Sequence, residues 1–140
     1  MRLPWRRRDA PPVELDPDDP SFVFLVRALD PAEADSAVLN RSGLDLARPV
    51  VVRHRLVGLP DRGAVERASL VLAQTGYAVR PGDGRVLAIV AVRTQLLSAL
   101  SLSQERSRMA GLAQRLGGDV DGWDAIGPAG EHPTAVLPAF

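Results

Sequence analysis

The sequence predicts an α+β fold in which an antiparallel sheet carries helices on one face. Two apolar stretches, 50–59 and 85–94, have the composition of central strands. Two further stretches, 61–75 and 102–116, repeat apolar residues at the three- and four-residue spacing of amphipathic helices. With 140 residues and 46% hydrophobic content, the chain is long enough for one ordinary domain with a single core.

Two short elements precede this pattern. Residues 22–29 are apolar, but the segment is too short for its period to distinguish a strand from a helix. Residues 30–39 are predicted to be a short helix that ends at Gly43. Its start carries three cap residues: Asp30 as N-cap, Pro31 at the first helical position and Glu33 at the third. We treat 21–45 as an N-terminal extension of undetermined packing.

Turn residues separate the first long helix from a β-hairpin. Asp61 is predicted to cap this helix and Gly76 to close it. Residues 77–80 then form a short strand, and 81–84 form the turn that leads into the strand 85–94.

The last part of the chain repeats a helix and a strand. Ser101 and Gln104 form a capping-box pair at the start of the second long helix, and Gly117 stops it. A last strand is predicted at 119–126. One face of the helix carries residues at three- and four-residue steps: Glu105, Met109, Leu112, Ala113 and Leu116.

The order of elements from residue 50 is strand, helix, strand, strand, helix, strand. This order predicts a ferredoxin-like βαββαβ domain over 46–126, a four-stranded antiparallel sheet with two helices on one face. Residues 1–20, rich in proline and charge, are predicted to be a disordered or mobile lead, and 127–140 a flexible tail. The N-terminus lacks the apolar segment of a secretory signal, and no stretch approaches a membrane span, which predicts a cytoplasmic protein without membrane contact.

Composition argues against several classes of function. The chain has no cysteine, which excludes disulfides, zinc knuckles, iron–sulfur clusters and thiol catalysis. Its 17 basic and 17 acidic residues give a net charge of zero, without the basic footprint of a nucleic-acid-binding protein. The two central strands contain no aromatic residue on which a base could stack, so we expect no direct nucleic-acid contact. No cofactor is predicted. No metal site is predicted either, because Asp124 faces away from Asp119 and Asp121 on a strand.

Strand 50–59 carries three candidate site residues. His54 shares a face with apolar residues, which is typical of a partly buried histidine with one hydrogen-bonded nitrogen. The alternative is a small hydrolase or isomerase with His54 as the base, since His132 lies in the tail. Arg53 and Arg55 share the opposite face, where they form a candidate partner-binding pair.

Trp123 lies in the stretch 117-GGDVDGWDAI-126 and is one of two tryptophans. A large amphipathic ring on an outer strand either fills the core or anchors an interface. We favour the core, with Asp121 as its hydrogen-bonding partner, because strand alternation places Asp121 on the same side.

Three short motifs resemble the RraB family, regulators that bind and inhibit the endoribonuclease RNase E. The motifs are Arg53-His54-Arg55-Leu56, Gly76-Tyr77-Ala78-Val79 and Asp121-Gly122-Trp123, and the similarity spans roughly residues 43 to 126. The resemblance implies a ferredoxin-like fold, no catalytic activity and protein–protein contact with the ribonuclease. The partner-binding candidates are Arg53, His54, Arg55, Tyr77, Asp121 and Trp123. The chain departs from the family in Val120, where an aromatic is common, and in its neutral charge. The alternative is a ferredoxin-like ligand-sensing or oligomerising module of unrelated function.

Overall fold

A computed structural model describes residues 14–30, 32–82 and 87–129. The elements in chain order are β1 (Phe22–Ala28), α1 (Asp35–Ser42), β2 (Val50–Leu59), α2 (Arg62–Gln74), β3 (Ala78–Pro81), β4 (Leu87–Gln95), α3 (Ala99–Arg115) and β5 (Asp119–Pro128). None of the described helices has the length and apolar character needed to cross a membrane.

The strands form one antiparallel sheet in the order β1-β5-β2-β4-β3. The predicted α+β class and the central β2–β4 pair are confirmed. The predicted number of four strands is wrong, because Phe22–Ala28 forms a fifth strand against the outer edge of β5. Pairing with β1 satisfies backbone groups that an exposed edge would leave open, and a seven-residue apolar stretch gives no period that could have shown this.

The side chains of β2 alternate between two faces of the sheet. Val52 packs in a cluster with residues of α1 and α3, whereas Leu56 packs in a second cluster with residues of α2 and α3. All three helices therefore lie on the same face. On the opposite face, which we call the helix-free face, Val51 packs with Val92 and Ile126.

The predicted helix starts are correct in one case of three. Asp61 caps α2, and its carboxylate accepts a hydrogen bond from the Ala64 amide at 2.8 Å. Helix α1 begins at Asp35, later than predicted, because Asp30 instead closes a turn with the Ala32 amide at 2.9 Å. Pro31 lies outside the described residues. Gly43 ends α1 as predicted, with a φ of 68°.

Helix α3 begins one turn earlier than predicted. Its N-cap is Ser98, whose hydroxyl accepts a hydrogen bond from the Ser101 amide at 3.1 Å, so Ser101 lies inside the helix. Leu102, which directly follows this extra turn, is completely buried. The earlier start is favoured by Ser98, a second serine able to cap the helix.

The segment before β1 crosses the helix-free face. The Leu15 amide donates to the Thr94 hydroxyl at 3.1 Å, and the Leu15 side chain packs on the apolar cluster there. Asp18 lies 3.1 Å from the Arg80 guanidinium on β3. Residues 1–13 of the predicted lead, the hairpin residues 83–86 and the tail from 130 onward lie outside the described residues.

Candidate functional site

Three arginines surround one aspartate on the helix-free face. Arg27 on β1 and Arg53 on β2 lie directly opposite Asp124 on β5. The side chains of Arg27, Arg53 and Asp124 therefore project from the same face. Arg53 forms a two-pronged contact with the carboxylate, with Nε–Oδ1 at 2.7 Å and Nη2–Oδ2 at 2.9 Å. Arg55 donates from Nη2 to Oδ2 at 3.1 Å, and Arg27 lies 3.9 Å from the same oxygen. We call this group the arginine cluster.

Burial within the arginine cluster is unequal. The Asp124 side chain has no exposed surface, whereas the side chains of Arg27, Arg53 and Arg55 remain 22%, 23% and 26% exposed. Among the described residues, three guanidinium groups share this one carboxylate. Phe24 supports two of the cations, with the guanidinium carbons of Arg27 and Arg53 at 4.7 and 5.4 Å from its ring centroid. The cluster therefore presents fixed, partly exposed positive charge.

A second polar group lies between the sheet and α3. His54 is 2% exposed, and its Nε2 lies 3.1 Å from Oε1 of the buried Glu105. The other carboxylate oxygen of Glu105 accepts from Arg93 at 3.0 Å and from Gln95 at 2.8 Å. Burial alone would raise the pKa of Glu105, but the bonds from His54 and Gln95 and the charge of Arg93 together hold that pKa below its ordinary value. The predicted single hydrogen-bonded nitrogen of His54 is present, and the side chain is more deeply buried than the partial burial predicted.

Tyr77 belongs to the same region. Its side chain is buried, its ring packs edge-on against His54 at 6.0 Å between centroids, and the Arg93 guanidinium lies 4.3 Å above the ring. Burial of the phenol, together with the negative charge of Glu105, raises the pKa of Tyr77 to about 12. The structure thus places Tyr77 in the core beneath α2 and α3.

The tyrosine environment can be tested by titration, because Tyr77 is the only tyrosine in the chain. We expect the phenolate absorbance of the folded protein to rise near pH 12 and not near the ordinary tyrosine pKa of 10.0. Far-ultraviolet circular dichroism recorded on the same samples identifies the pH range in which the protein stays folded. A reversible ionisation midpoint near 10.0 in folded protein would contradict the buried placement.

Trp123 is completely buried and packs with Leu25, Val38 and Leu102 in the cluster beneath α1 and α3. The predicted hydrogen bond from its indole to Asp121 is absent, and Nε1 has no partner among the described residues. Gly122 explains the difference: its φ of 79° and the register shift opposite β2 interrupt the strand alternation between the two residues. Asp121 is instead exposed.

The six candidate residues do not form one site. His54, Tyr77 and Trp123 are buried on the helix side, whereas Arg53 and Arg55 lie on the helix-free face. The only side-chain hydrogen bond of His54 within the described ranges is the one to Glu105, so no nucleophile is paired with it there. Over the same ranges, no group of three or more potential ligands is arranged to hold a metal ion.

Sequence reasoning missed two members of the arginine cluster, Arg27 and Asp124. Strand alternation predicted that Arg53 and Arg55 lie on one face of the sheet, but it did not predict which strands pair with β2. One signal could have helped: alternation places Asp124 on the opposite face from Trp123. A lone acid on the arginine face of a neighbouring strand is a natural counter-ion.

Comparison with known proteins identifies the family. A search of the curated proteins finds no match. The family model described as RraB, Regulator of ribonuclease activity B, matches residues 33–125, about two thirds of the chain and all of the sheet except β1 and the end of β5. The match confirms the resemblance carried by the arginine, tyrosine and tryptophan motifs, and the chain belongs to the RraB family of regulators of ribonuclease activity.

Proposed function

We propose that this protein is a non-enzymatic cytoplasmic regulator that binds an RNase E-type endoribonuclease by protein–protein contact and inhibits it, and so modulates RNA decay. The family match supports a regulator of ribonuclease activity. The observation that carries the mode of action is the arginine cluster, because it is a partly exposed charged group on a sheet face that none of the described helices covers.

The geometry of the cluster suits recognition of an acidic protein surface. Asp124 and Phe24 already hold the guanidinium groups in place, so binding would order few additional side-chain torsions. Arginine forms two-pronged hydrogen bonds to carboxylates and is enriched among the residues that dominate interface energies. The partly exposed guanidinium groups of Arg53 and Arg55, which share one buried carboxylate, favour a partner segment that carries carboxylates.

The strand topology supports the ferredoxin-like fold that the family resemblance implies. We infer that β2 to β5 with α2 and α3 form a ferredoxin-like unit over residues 46–126, to which β1 and α1 are added. The strand order β5-β2-β4-β3 and the shared face of α2 and α3 support this inference.

Replacement of Arg55 by alanine tests the interaction surface. Arg55 donates one hydrogen bond to Asp124 and leaves the two-pronged Arg53 contact in place, so the free energy of unfolding should fall by less than about 1 kcal/mol. Affinity for purified RNase E-type endoribonuclease from the same organism, measured by calorimetry, should weaken by about tenfold or more.

Arg67→Ala on α2 is the matched control, because Arg67 is exposed in the helix layer, away from the helix-free face. It should bind like the wild type. Equal affinities for the Arg55 and Arg67 variants would show that the cluster is not the interface. Absence of binding by the wild-type protein would contradict the proposal itself.

A further inference from the structure

The segment that crosses the helix-free face is an acidic stretch of the chain. Residues 14–19, which we call the acidic strap, contain four acidic residues and no basic one: Glu14, Asp16, Asp18 and Asp19. Exposed and partly buried residues alternate along the strap, and the partly buried ones are Leu15, Pro17 and Asp19. This alternation indicates that one side of the strap faces the rest of the protein, although the strap belongs to no strand of the sheet.

The strap covers the apolar part of the helix-free face. The Leu15 side chain packs on the cluster of Val51, Val92 and Ile126, and its amide donates to the Thr94 hydroxyl at 3.1 Å. Each of these three cluster residues is 7% exposed or less, although none of the described helices packs on this face. Leu15 therefore supplies part of the cover that the helices provide on the other face.

The strap also pairs with a cation near the arginine cluster. The Asp18 carboxylate lies 3.1 Å from the guanidinium group of Arg80 on β3. Val90 on β4 pairs with Arg80 on one side and with Arg55 on the other, so the two arginines project from the same face. Two strand spacings of about 4.8 Å separate their backbones. A carboxylate of the strap thus already occupies basic surface next to the arginine cluster.

The contacts that hold the strap are few and weak. The side chains of Arg80 and Asp18 are 44% and 68% exposed, and exposed ion pairs add little stability. The Phe22 amide donates to the Asp19 carbonyl at 3.1 Å, which closes a turn between the strap and β1. Because this turn separates the two segments, the strap can leave the face while β1 stays paired with β5.

We infer that the acidic strap is an internal competitor for the partner site, which an acidic segment of the partner with an apolar residue takes over by displacing it. The inference rests on the proposed function, which names the ribonuclease as the partner. The strap opposes a second acidic segment because it occupies the apolar cluster and places like charge beside Arg55. The affinity for the partner is therefore reduced in proportion to the fraction of molecules in which the strap is open.

Hexaglutamate is a suitable probe, because it supplies carboxylates without the ribonuclease. A double variant, Leu15→Ser with Asp18→Asn, removes the apolar contact and the ion pair and so releases the strap. Glu14→Gln is the matched control: it also removes one negative charge from the strap, but Glu14 is exposed and forms no hydrogen bond or ion pair among the described residues.

Binding of hexaglutamate at low salt is followed by the Arg53 and Arg55 amide signals in nuclear magnetic resonance spectra. We expect the dissociation constant of the double variant to be about fivefold lower than that of the wild type, or lower still, and that of Glu14→Gln to change by less than about twofold. Saturating hexaglutamate should also speed exchange of the wild-type Leu15 amide with solvent, since displacement breaks its bond to Thr94. Circular dichroism melts verify that all three proteins are folded.

Equal dissociation constants for the wild type and the double variant, an equal gain in Glu14→Gln, or no saturable shift in any of the three proteins would overturn the inference. So would unchanged exchange of the Leu15 amide at saturation. Calorimetric titration of the same proteins with purified RNase E-type endoribonuclease separates the two proposals. Tighter hexaglutamate binding by the double variant without any ribonuclease binding would support competition by the strap and contradict only the ribonuclease assignment.

Discussion

Replacement of Trp123 by alanine is expected to lower the free energy of unfolding by about 3–5 kcal/mol, as truncation of a buried aromatic ring does. The indole has no exposed surface and packs against apolar residues of β1, α1 and α3, so its removal leaves a void at the junction of these elements. Because Nε1 has no hydrogen-bond partner among the described residues, the loss arises from packing and not from a broken polar contact. Chemical denaturation monitored by circular dichroism measures the change.

The control for Trp123 is Leu100→Ala on α3. Leu100 is 69% exposed, so its truncation should change stability by less than about 0.5 kcal/mol. A denaturation curve for Trp123→Ala that superimposes on the wild-type curve would show that the ring does not support the core.

Replacement of Glu105 by alanine is expected to lower the free energy of unfolding by about 3 kcal/mol, the lower part of the range for breaking a buried ion pair. The change removes the acceptor of His54, Arg93 and Gln95 together. The loss stays at the lower end because the Arg93 side chain is 29% exposed and keeps part of its hydration. Glu105→Gln retains the shape and one acceptor oxygen, so it should lose less than Glu105→Ala. An equal loss would show that the retained amide oxygen adds no stability.

The lowered pKa of Glu105 gives this prediction a pH dependence. A carboxyl whose pKa is lower in the folded than in the unfolded state contributes stability that is complete above the unfolded value, here 4.5, and is lost as the pH falls through the folded value. The stability difference between wild type and Glu105→Gln should therefore shrink below pH 4.5. A difference that stays constant down to about pH 3 would contradict the lowered pKa.

The central part of the fold could be predicted because its signals are local. β2 and α2 have continuous apolar patterns and clear end residues, and the structure gives β2 the predicted bounds of Val50–Leu59. The helical period of α3 also placed Glu105 on the buried face, where it lies. The fifth strand was missed because seven mostly apolar residues fit either a strand or a helix, and only the open edge of β5 decides between them.

The candidate site was predictable only in part. Alternation along β2 placed Arg53 and Arg55 on one face and His54 on the other, and the structure shows both. The partners Arg27 and Asp124 come from strands distant in sequence, and their register depends on pairing that no local pattern encodes. The expected bond between Trp123 and Asp121 failed because Gly122, in a left-handed conformation that suits glycine, breaks the alternation on which it rested.

The rate of RNA cleavage by purified RNase E-type endoribonuclease from the same organism, measured at increasing concentrations of this protein, tests the central claim most directly. We expect wild type and Arg67→Ala to inhibit cleavage to the same extent, and Arg55→Ala to require about a tenfold higher concentration for the same inhibition. Thermal melts of the three proteins verify that each is folded. An unchanged cleavage rate at saturating wild-type protein, or equal inhibition by Arg55→Ala and wild type, would contradict the account.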